Sequence, residues 1–128
     1  MSLDIEQNLK KAHQLTEAGS HDEARLCLLE VLKKEPNNQT ALLMLGGAYF
    51  CSDKLAEAEM VFERLILQSP GTGKYSIALF NTLWKLNRPE EALEEIKRFM
   101  SHADQVEERE TIEQYIAITD NISSSDPN

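Results

Sequence analysis

Several groups of residues in this chain are of types that do chemistry, and their spacing decides what each can do. Gly71, Thr72, Gly73 and Lys74 look like the end of a phosphate loop, whose backbone N–H groups and lysine would cradle a nucleotide. The upstream glycine position holds Gln68, however, and Tyr75 replaces the Ser or Thr. The segment also joins two helical patterns, where a phosphate loop joins a strand to a helix, so it reads as an inter-repeat turn. Glu90, Glu91, Glu94 and Glu95 crowd one helix as if for general acid or metal chemistry. With Glu94 near Lys97 and Arg98, they read as a solvated face. His13, His21 and His102 lie far apart, with no His, Cys or acidic partner at ligand spacing, and no metal site is expected. Cys27 and Cys51 form no Cys-x-x-Cys pair and read as two reduced thiols. No nucleophile, base and orienting group come together, so neither catalytic residues nor a cofactor are expected.

The elements that carry these residues follow a period. Ala24, Ala58 and Ala92, each preceded by Glu, stand 34 residues apart, and the same register superposes Pro36 on Pro70 and aligns Leu28, Phe62 and Ile96. Repetition at this length is the signature of a two-helix solenoid unit, in which each repeat leaves an apolar face for the next to cover. In the middle unit a first helix carries Leu42, Leu45, Gly46 and Tyr49 at helical spacing, and a second carries Ala58, Phe62 and Leu65. A small residue in the Ala12 and Gly46 column lets the two helices approach; Phe80 takes that place in the third unit. Gly19, Asp53 and Asn87 share the column that ends the first helices, and all three types tolerate left-handed backbone. Ser20 with Glu23 forms a capping-box pattern, and Pro89 suits a first helical turn. Asp104 with Glu107 starts a seventh helix, whose apolar stripe is Ile112, Tyr115, Ile116 and Thr119.

The expected architecture is therefore all-α, an α-α superhelix of seven helices in one domain over residues 1–120. Its repeats fall near 5–38, 39–72 and 73–106, with a capping helix near 105–120 and a flexible tail at 121–128. Composition agrees: 41% hydrophobic residues suffice for a core, and five Gly and four Pro leave few places to turn. The net charge of −9 opposes a phosphate-backbone partner, so no nucleic acid is expected. Residues 105–128 carry −5 of it, so the repeat body is nearly neutral. Met1 to Lys11 holds no signal-peptide pattern and no stretch approaches a membrane span, so the expectation is a cytoplasmic protein that engages no membrane.

Leu42, Leu45, Gly46, Tyr49, Ala58, Phe62 and Pro70 stand at the spacings of the tetratricopeptide repeat, with Leu42 where Trp is commonest, and residues 39–72 resemble that family. Residues 5–38 resemble it through Ala12, Leu15, Ala24, Leu28 and Pro36, and residues 73–106 through Leu79, Leu83, Ala92 and Ile96. The resemblance implies a right-handed superhelix whose first helices line a concave groove for peptides or helices of other proteins, with no catalysis by the repeat itself. One subfamily grips the C-terminal carboxylate of heat-shock chaperones. Its clamp positions would fall on Leu9, His13, Met44, Lys74 and Ala78, and only Lys74 is of the required type, so that ligand is not expected here.

Residues facing away from the buried stripe of each first helix should form the groove in columns. Leu9, Leu43 and Ile77 make an apolar one, His13, Gly47 and Asn81 a mixed one, and Thr16, Phe50 and Trp84 a third, with Glu17, Cys51 and Lys85 at the rim. Trp84 is expected as a half-exposed binding anchor; its other reading is packing against the terminal helix. The function expected is a non-enzymatic adaptor or scaffold that takes an apolar peptide or helix. Two alternatives stand beside it: a chaperone similar to the three-repeat chaperones of bacterial type III secretion, and a homodimer or larger homo-oligomer built on the apolar groove.

Overall fold

A computed structural model describes residues 3–124. Among them are seven helices and no strand: α1 (Leu3–Glu17), α2 (His21–Lys34), α3 (Gln39–Cys51), α4 (Leu55–Gln68), α5 (Gly73–Lys85), α6 (Pro89–His102) and α7 (Arg109–Ser124). Each helix packs on the next from α1 to α6, and the first helices of successive pairs also touch, α1 with α3, α3 with α5 and α5 with α7. That second set of contacts puts α1, α3, α5 and α7 on the inner, shorter radius of a curved solenoid, with α2, α4 and α6 outside.

The turns follow from residue type. Asp53 and Asn87 hold φ of 61° and Gly19 a φ of 80°, the left-handed backbone that reverses the chain between the helices of each pair. Asn38 Oδ1 accepts from the Ala41 N–H at 2.9 Å and caps α3, and Pro89 opens α6 where no N–H is needed. Ser20 precedes α2 but makes no side-chain capping bond, so its capping box does not form. Asp104 Oδ1 accepts from the Val106 and Glu107 N–H groups, both at 2.9 Å, and closes a turn after which α7 begins at Arg109. Helix α7 runs through Ser124, so residues 121–124 extend it; the expected tail at 125–128 lies outside the described residues.

The core lies in two connected parts. Ile5, Ala12, Leu28, Val31, Ala41 and Leu45 fill the space among α1, α2 and α3, and a larger cluster runs from Leu42 through Phe62, Leu79 and Ile96 to Tyr115. Ala24, Ala58 and Ala92 have no exposed surface, as helix contacts of small residues require. Gly46 shows why the column beside them is small: a Cβ there would stand 2.8 Å from Cδ1 and Cζ of the Phe62 ring. A second tie repeats with the register. Arg64 donates to the Pro36 carbonyl and Arg98 to the Pro70 carbonyl, both at 2.8 Å, each fastening an outer helix to the turn that ends the preceding pair.

Candidate functional site

On the inner surface α3, α5 and α7 lie side by side, and the last turns of all three enclose an open pocket of about 560 Å³. Phe50 comes from α3, Phe80, Asn81, Trp84 and Lys85 from α5, and Ile118, Asn121 and Ile122 from α7. A smaller recess of about 170 Å³ shares Phe50 and Asn81 and continues the surface toward Gly47, Cys51 and Ala78. Gly47 opens this stretch, since a Cβ there would meet nothing within 4 Å.

Aromatic stacking fixes the pocket's centre. Trp84 is 49% exposed and lies nearly parallel to Phe80, with ring centroids 5.7 Å apart, so one indole face is covered and the rest is open. Lys85 Nζ lies 4.8 Å from the Phe50 ring centroid and 3.8 Å from Asp53 Oδ1, which holds the ammonium at the pocket rim. Asn81 and Asn121 add amide donors and acceptors to walls that are otherwise hydrocarbon and aromatic. Such a surface suits an apolar side chain whose backbone or polar neighbour meets the amides and the lysine.

The structure brings Gly47, Phe50, Asn81, Trp84 and Lys85 together. The other positions named from sequence lie elsewhere on the first helices. Leu9, Leu43 and Ile77 are half-buried against the two core clusters, so they are part floor and part groove. Thr16 is half-buried with its hydroxyl donating to the Ala12 carbonyl, and His13 is exposed beside Glu17 at 3.5 Å. Ile118, Asn121 and Ile122 were not among the sequence-based candidates. Their signal was present: Ile118 and Ile122 continue from Ile112 and Tyr115 at helical spacing. In the structure Ile118, packed on the core, belongs to the inner face of α7, while Ile116 points to solvent. The connection before α7, residues 103–108, is also two residues longer than the four-residue connections 35–38 and 69–72, so α7 does not continue the 34-residue register.

The residues that first suggested chemistry have structural roles. A phosphate would need the N–H of Gly73, which donates instead to Glu108 Oε2 at 2.8 Å. A Cβ on Gly73 would collide with Thr111, so the glycine permits the close approach of α7. Glu95 corrects the reading of a solvated acidic face. It is 5% exposed, accepts from Ser76 Oγ at 2.6 Å and from Arg98 Nε and Nη2 at 2.6 and 2.7 Å, and is buried because α5 and α7 close over it. Glu59 and Glu91 engage Arg88 in the outer cleft between α4 and α6. The hydrogen bonds from Arg88 hold the Glu59 carboxyl below its ordinary range, while burial pushes Glu63 up. Among the described residues no three His, Cys, Asp or Glu side chains gather as metal donors, and no helix is long and apolar enough to cross a membrane.

Comparison with known proteins places this geometry. No curated protein matches the chain in sequence. Among solved structures it is similar to the type III secretion translocator chaperone SycD of Yersinia enterocolitica, at 14% identity and a TM-score of 0.84, covering 100% of this chain and 98% of that one. It is similar to the first tetratricopeptide repeat domain of human RPAP3, at 20% identity and a TM-score of 0.73, covering 94% and 93%. It is also similar to the first such domain of Spaghetti (RPAP3) bound to the HSP90 peptide SRMEEVD, at 20% identity and a TM-score of 0.75, covering 95% and 98%. The tetratricopeptide repeat model matches residues 15–79, half of the chain, and the chain belongs to the tetratricopeptide repeat family.

Proposed function

We propose that this chain is a non-enzymatic binding domain that takes an apolar segment of another protein, a peptide or a helix, on its inner surface, and so acts as an adaptor or scaffold. The observation that carries this reading is the half-exposed Trp84, stacked on Phe80 and facing Phe50 across a pocket with hydrocarbon walls. A solvent-exposed indole in a concave apolar site is the kind of group that dominates binding energies in protein interfaces. Leu9, His13, Thr16, Leu43 and Ile77 extend the surface toward the N-terminal end. The domain is one unit made of three repeats and α7, working in the cytoplasm.

The test is a peptide selected against the full chain from a display library, with its affinity measured by calorimetry. Trp84→Ala and Phe50→Ala should each weaken it about tenfold or more, while Leu67→Ala, on the outer helix α4, should leave it unchanged. Equal affinity in all three variants would remove the groove from the account.

A second reading has its own support: the likeness to the SycD chaperone runs end to end and includes α7. On this reading the groove shields an apolar segment of a client before it assembles. Co-expression would then keep an otherwise aggregating client soluble, and a client equally soluble alone would end it. The homodimer reading is decided by light scattering, where a monomer at high concentration excludes it.

A further inference from the structure

We infer that Tyr115, Ser76, Glu95 and Arg98 form a polar latch that positions α7 as the third side of the pocket, making these residues positioning residues for the binding site. Helix α7 lays Ile112 and Ile118 against the core and inserts one wholly buried large side chain, Tyr115, 1% exposed, between Phe80 of α5 and Phe99 of α6. Its hydroxyl lies 2.7 Å from Ser76 Oγ, which donates to Glu95 Oε2, which in turn is gripped by Arg98. Arg98 reaches the Pro70 carbonyl, so the chain of bonds ends on the turn that begins the third pair.

The repeat register shows that these polar groups answer to α7. In the middle pair the positions of Ser76 and Glu95 are held by Leu42 and Val61. The first pair holds Asn8 and Cys27 there, so a hydroxyl with a carboxylate stands only in the third pair, whose next inner helix is α7, and both meet the Tyr115 hydroxyl or its partner. The bond from Tyr115 fixes one axial and rotational setting, because a slip of α7 leaves the Tyr115 hydroxyl unpaired in low dielectric and takes from Ser76 its second partner, while Ser76, Glu95 and Arg98 stay bonded to one another. An apolar contact of the same area would tolerate sliding. That setting places Ile118 and Ile122 opposite Trp84. The latch stands on the free chain; its consequence for a partner rests on the groove reading.

The experiment uses the full free chain, so it fails or succeeds separately from peptide binding. Tyr115→Phe keeps the ring and removes the hydroxyl, and Ser76→Ala removes the central link. Hydrogen exchange should show α7 amides losing about tenfold protection in both variants with α1 to α4 unchanged. Trp84, the sole tryptophan, reports on the pocket: acrylamide should quench it about twofold more efficiently. Unchanged α7 exchange, loss of protection in step with α1 to α4, or a loosened α7 with unchanged Trp84 quenching would each overturn the latch.

Discussion

In the middle pair Gly46 leaves the space that the Phe62 ring fills; in the third pair the same two columns hold Phe80 and Ile96, both of them large. In the first pair Ala12 and Leu28 hold these places. The first two pairs thus set one small residue against one large one, whereas the third accommodates two large ones. The difference lies in where the inner residue points. Phe62 turns its ring inward on Gly46, whereas Phe80 stands on the inner helix and reaches Trp84 and Tyr115, with centroids 5.7 Å away in each case. The third pair therefore spends its large inner residue on building the pocket and seating α7, and the middle pair spends Phe62 on closing the pair itself.

The largest effect should come from forcing the middle pair to carry bulk in both columns. Gly46→Leu is expected to cost roughly 3 kcal/mol, read as a lowered urea midpoint with unchanged slope. Gly46→Phe combined with Phe62→Ile installs the arrangement of the third pair, and should be less destabilising than the sum of its two single changes by about 1 kcal/mol or more. Additive costs would show that the two columns of the middle pair do not compete for one space.

Next comes the pair of repeated arginines. Arg98→Met leaves the buried Glu95 carboxylate without its two-pronged partner and should cost about 2 to 3 kcal/mol. Arg64→Met removes only exposed bonds to the Pro36 carbonyl and Asn37, and should cost below about 1 kcal/mol by the same urea titration. Similar costs would mean that the inter-pair tie, and not the burial of Glu95, governs both sites.

The smallest expected effect is that of Tyr115→Phe, about 1 kcal/mol near neutral pH. Burial pushes the Tyr115 hydroxyl above its ordinary value of 10.0; the bond to Ser76 opposes the shift, Glu95 adds to it and Arg98 offsets part of it. The folded chain holds this proton more tightly than the unfolded chain. Its contribution is complete below about pH 10 and is lost as pH rises further. Thermal melts of the two proteins should converge above pH 10; a constant difference would show that Tyr115 titrates alike in both states.

Much of this molecule could be read along the chain. The alanine period, the turn positions Gly19, Asp53 and Asn87, and the nearness of Gly47, Phe50, Asn81, Trp84 and Lys85 on the inner helices depend on local geometry and helical spacing, which a sequence carries directly. Glu95 and Ile118 did not yield to that reading. Glu95 looks like its exposed neighbours Glu94 and Glu91 until α5 and α7 are set over it, because burial is a property of what lies opposite. Ile118 depends on which side of α7 meets the core, and that is settled by the packing of Tyr115 against α5 and α6.

By itself, then, the sequence determined seven helices in a curved array and the register of three pairs, since helical periodicity and a 34-residue repeat are local quantities. Only the tertiary structure decided that α7 supplies the third wall of the pocket and that its Tyr115 bonds to Ser76. Both depend on how the last described helix is turned about its own axis, and that angle is set by the packing of Tyr115 among Phe80, Phe99 and Ser76.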